Sequence, residues 1–76
     1  MDVDARIAEV VARHAGRAVT ADEALLESGL LDSFALVALS MELQDTFAIE
    51  LPGDAITADN FGDLGKIGAL VRRLLP

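Results

Sequence analysis

The run Glu27-Ser28-Gly29-Leu30-Leu31-Asp32-Ser33-Phe34 places a serine directly after an aspartate, at the mouth of an apolar-periodic segment. A serine nucleophile needs a base and a partner that orients the base. Nothing near Ser33 in sequence supplies either. The chain's one histidine, His14, lies in a separate predicted helix. Ser33 therefore reads as a residue modified by another enzyme, not as one that attacks a substrate.

C-terminal to this run, Ser33–Phe47 contains no Gly or Pro, and Asp32 is a good N-cap, so the segment is expected to be helical. Leu36, Leu39, Leu43 and Phe47 form one apolar stripe, with Ser40 beside it, and this stripe is assigned to the core. Phe34, Val37, Ala38 and Met41 form a second. One helix of a small bundle cannot easily bury both, so part of the second stripe should be exposed beside Ser33. Exposed apolar surface that includes a Met suits an adaptable interface.

On the N-terminal side, Val3, Ile7, Val10, Val11 and His14 recur at helical spacing, which predicts an amphipathic helix over about Asp2–His14. Gly16 is its expected stop. Arg17–Asp32 is a long connection whose Leu25, Leu26, Leu30 and Leu31 should pack back onto the core. A helical turn is expected over Ala21–Leu26, with Thr20 and Glu23 as a capping box. Gly29 supplies a turn. Beyond Phe47, Ile49 and Leu51 are expected to point inward, and Pro52-Gly53-Asp54 is turn chemistry. Thr57 caps a short helix, Ala58–Phe61, ended by Gly62. A last helix over about Asp63–Leu74 carries Leu64, Ile67, Leu70, Val71 and Leu74 on one side. The expected architecture is all-α: a small four-helix bundle of three main helices and one short one, spanning residues 1–76 as a single domain.

Composition agrees. The 76 residues are 53% hydrophobic but only 4% aromatic, so the core must be aliphatic, which favours helices over a small β-sandwich. Thirteen acids against six bases give a formal charge of −7. That sign argues against nucleic acid and allows a basic protein surface as partner. There are no cysteines, so disulfides and thiolate metal sites are excluded. No signal peptide or membrane-spanning run is visible, and no loop has calcium-site spacing, so a cytoplasmic monomer without metal is expected.

Gly29-Leu30-Leu31-Asp32-Ser33-Phe34, Phe47 at the foot of the same helix, Ile49-Glu50-Leu51-Pro52, and Thr57 with Asn60-Phe61 together resemble the acyl carrier protein family, which includes peptidyl and D-alanyl carriers. The resemblance spans essentially the whole chain. It implies that Ser33 carries a 4′-phosphopantetheine arm, added by a phosphopantetheinyl transferase whose magnesium Asp32 would serve. The arm holds an acyl, aminoacyl or polyketide cargo as a thioester. The protein itself performs no chemistry, and a loading ligase and downstream biosynthetic enzymes are its partners. The helix after the serine is the implied docking surface; on the residues themselves, the second stripe of Phe34, Val37, Ala38 and Met41 is expected to make its apolar contacts, with Asp32, Glu42 and Asp45 steering at the rim.

A phosphodiester at Ser33 would also sit at a helix N-terminus, where free N–H groups and the helix dipole favour an anion. Phe34 stands where the family most often has Leu, and Ala35 and Ala38 leave the start of the docking helix poor in acids. Both departures favour a specialised pathway over housekeeping fatty-acid synthesis. The alternative is a small helical interaction domain without a prosthetic group, which intact mass after exposure to a transferase would separate. An enzyme is disfavoured because 76 residues can hardly enclose a deep pocket.

Overall fold

Each of the four α-helices begins where a polar side chain can take up a free backbone N–H. In the computed structural model, which describes residues 2–76, these are α1 (Val3–Ala15), α2 (Ser33–Phe47), α3 (Ala58–Phe61) and α4 (Leu64–Leu74). Asp2, Asp32, Thr57 and Asp63 are the N-caps, and each side-chain oxygen accepts from the N–H three residues on. Such caps are each worth about 1 kcal/mol, and the carboxylates also complement the positive end of the helix dipole. A single 3₁₀ turn, Gly53–Ala55, follows Pro52, and no strand occurs among the described residues. No helix is long and apolar enough to cross a membrane.

The core is aliphatic apart from Phe47 and Phe61. Ile7, Val10 and Val11 of α1 meet Leu39 and Leu43 of α2 and Ile67, Leu70 and Val71 of α4. Helix α1 packs against both α2 and α4, and the short α3 packs on α4. Gly68 is buried in α4, and a Cβ there would come within 2.8 Å of the Asp4 carboxylate. It therefore lets the start of α1 lie close to α4, where Asp4 accepts from Arg72 at 2.6 Å.

The connection from Gly16 to Asp32 departs from expectation. No helix forms over Ala21–Leu26; the chain makes separate turns at 21–22 and 25–28. Only half of the capping box exists, with the Glu23 side chain accepting from the Thr20 N–H at 3.2 Å. The physical reason is tertiary. Leu25 is buried and donates its N–H to the Gly62 carbonyl at 2.8 Å, and Leu31 donates to the Leu25 carbonyl at 2.9 Å. Those bonds replace the helical ladder that the segment would otherwise have made. Leu26 and Leu30 pack on the core edge, and Gly29 turns the chain at φ 79°.

Candidate functional site

Ser33 is the first residue of α2 and is exposed. Its place is fixed by Asp32, whose Oδ1 accepts from the Ala35 N–H at 2.8 Å while its own carbonyl accepts from the Leu36 N–H at 2.9 Å. The N–H groups of Ser33 and Phe34 belong to the first turn, where a helix offers no intrahelical acceptor. Leu31, immediately upstream, is buried, so the chain enters the helix from an anchored position. An exposed hydroxyl at the positive end of a 15-residue helix fits a phosphodiester substituent, with the Asp32 carboxylate as the one like charge beside it.

The helix separates its faces as its periodicity requires. Leu39, Ser40, Leu43 and Phe47 are buried, and Leu36 is half-buried at the edge of the core. On the opposite side Phe34 is 89% exposed, Val37 53% and Met41 61%, with exposed Ala38 and Asp45 completing the stripe. Ser40 tolerates burial because its hydroxyl donates to the Val37 carbonyl at 2.7 Å.

Glu42 differs from the rim charge expected of it. It lies on the flank of α2 facing α1, where Arg13 pairs with its Oε2 and His14 Nε2 lies 2.7 Å from its Oε1. The Arg13 guanidinium holds the Glu42 carboxyl below its ordinary value, with His14 adding to the effect and partial burial opposing it. Nine residues separate Ser33 from Glu42, about 13 Å along the axis and half a turn round the helix. His14, committed to Glu42, is thus remote from the Ser33 hydroxyl and cannot serve it as a base.

Sequence reasoning also missed Gln44. Its Oε1 accepts from the Leu51 N–H at 3.0 Å and its carbonyl accepts from the Ile49 N–H at 3.2 Å. These bonds fasten the segment after α2 and place Ile49 and Leu51 in the core. Asn60 does the same for the next turn by donating to the Ala55 carbonyl at 2.8 Å. A Gln three residues before a helix-ending Phe, followed by an Ile-x-Leu pair, is only a weak signal of such a brace.

A surface hydroxyl at a helix start beside an exposed apolar stripe is the arrangement of a carrier domain. Residues 5–74 match the family model described as a phosphopantetheine attachment site, and the chain belongs to that family. It is 30% identical to a D-alanyl carrier protein of Lactobacillus delbrueckii subsp. bulgaricus over 97% of this chain and 95% of the relative. It is 31% identical to a D-alanyl carrier protein of Leuconostoc mesenteroides subsp. mesenteroides over 99% of both. The chain is therefore a non-catalytic carrier of the acyl carrier protein family with 4′-phosphopantetheine as its prosthetic group. Such carriers are substrates of a phosphopantetheinyl transferase and of loading enzymes.

Proposed function

We propose that Ser33 bears the phosphopantetheine arm and that the chain carries an aminoacyl cargo, D-alanine first among the candidates, in a specialised pathway. One observation carries the choice of residue. Ser33 opens α2 with an exposed side chain, beside the capping carboxylate of Asp32 and next to the exposed Phe34–Val37–Met41 stripe. The arm, when bound, supplies a thiol that holds a carboxylic acid as a thioester. The chain's own residues do the rest. Asp32 fixes the first turn of α2 and offers a carboxylate to the transferase's magnesium. The backbone N–H groups of the first turn favour the phosphodiester anion. Phe34, Val37, Ala38 and Met41 dock the transferase, a loading ligase and later enzymes, and Asp45 marks the rim. The aminoacyl cargo is supported by the two D-alanyl carrier relatives, and the specialised pathway by the absence of any acid in the first turn of α2.

The test uses intact masses. Wild type incubated with coenzyme A and a broad-specificity transferase should gain the mass of one arm, and Ser33→Ala should gain none. Modification of the Ala variant would remove Ser33 from the reading. The arm-bearing protein is then offered to a D-alanine-activating ligase and, separately, to a fatty-acid-activating ligase. Loading by the second and not the first would overturn the aminoacyl cargo and leave the attachment site standing.

A further inference from the structure

We infer that Arg13 and His14 of α1 mask Glu42, so that the docking side of α2 fits a partner that meets it with an apolar patch and sets no cation against Glu42. The inference rests on the docking face proposed above. Three observations carry it. Arg13 and His14 both engage the Glu42 carboxylate, one at each oxygen. The Glu42 side chain retains only 30% of its exposure. Helix α2 has no acid in its first turn, and its exposed centre is Phe34, Val37 and Met41.

A paired carboxylate has little field beyond its own partner. An incoming cation would have to displace Arg13 before gaining anything, and exposed pairs gain little to begin with. The acids left on this side are Asp32, which is capping the helix, and Asp45, at the far end of the stripe. Between them the complementary surface is apolar. Arg13 and His14 are thus specificity-determining residues that act from a neighbouring helix, through Glu42.

The experiment measures kcat/KM for arm transfer by a broad-specificity transferase at about 0.01 M and about 0.15 M salt, where the screening length falls from about 30 Å to about 8 Å. Removing the pair together, Arg13→Gln with Glu42→Gln, should restore what Arg13→Gln alone loses, because no under-paired carboxylate is then left on this face. Arg13→Gln alone strips Glu42 of its arginine and leaves it held by His14 only. Facing an apolar partner patch, a carboxylate short of its arginine should lower the rate about threefold below that of Arg6→Gln, which removes the same charge elsewhere on α1, and a rate raised above that of Arg6→Gln would reveal a partner cation at Glu42 and overturn the proposal. Arg6 has only a loose contact with Glu9, at 3.9 Å. Circular dichroism melts of each variant, with an Arg13→Met/Glu42→Gln variant as a second neutralised pair, separate a docking effect from loss of fold. If the double variants fold but lose both rate and salt dependence, Glu42 meets the partner directly and the masking is overturned. If Phe34→Ala is modified at the wild-type rate, the docking face itself is overturned, and the masking with it.

Discussion

Ala48 holds a left-handed backbone conformation, φ 53°, as the C-cap of α2, and it is the one non-glycine residue with positive φ among those described. An L-residue there costs about 1–2 kcal/mol, whereas glycine is free of the Cβ clash and loses about 0.4–1 kcal/mol through the unfolded chain. Ala48→Gly should therefore stabilise the fold by about 1 kcal/mol, seen as a higher urea midpoint at unchanged slope. An equal or lower midpoint would show that the strain is absorbed elsewhere. The same scale separates what was legible in sequence from what was not. Asp32 and Ser33 were readable because a cap and a first-turn residue are local matters, set by three or four neighbours. Gln44 was not, because its hydrogen bond to the Leu51 N–H depends on where the chain goes after the helix ends.

At the scale of the element, α2 shows why the two-stripe reading succeeded and where it stopped. The spacing of Leu39, Leu43 and Phe47 set the buried face, and the small size of the bundle left Phe34, Val37 and Met41 outside. Met41→Ala should cost under about 0.5 kcal/mol, as an exposed substitution does, yet slow arm transfer if α2 docks the transferase. Leu43→Ala removes a fully buried side chain and should cost about 2–5 kcal/mol. Thermal melts beside transfer rates would show the two effects reversed if the docking and core faces had been exchanged. Periodicity could not reveal the Glu42 clamp. Arg13 and Glu42 are 29 residues apart, and their meeting depends on how α1 rolls against α2. The connection between those helices was illegible for a related reason. Its leucines signalled burial, but the bond from Leu25 to Gly62 needs α3 and α4 already in place.

Across the whole molecule the charge is −7, and three of the six Lys and Arg side chains make close ion-pair bridges. Arg72 ties the end of α4 to Asp4 at the start of α1, Arg13 ties α1 to α2, and Arg17 ties the long connection to itself through Glu23. The Glu23 carboxyl lies below its ordinary value chiefly through Arg17, but that pair lies within one connection and joins no two helices. Glu42 is the better probe of how acid loosens the bundle. Its folded-state value is depressed, first by Arg13, so its contribution is fully present above the unfolded carboxylate value and is lost as pH falls through the folded one. Acidification also relieves the repulsion among the other carboxylates, which obscures the effect in wild type alone. The difference between wild type and Glu42→Gln cancels most of that background. Near neutral pH the wild type should be more stable by under about 1 kcal/mol, the scale of a partly exposed pair. The gap should close as pH falls below the ordinary carboxylate range, where Glu42 finally protonates. Urea midpoints of both proteins across that range would measure it. A gap that stays constant or widens on acidification would mean that the Glu42 charge does not help to hold α1 against α2.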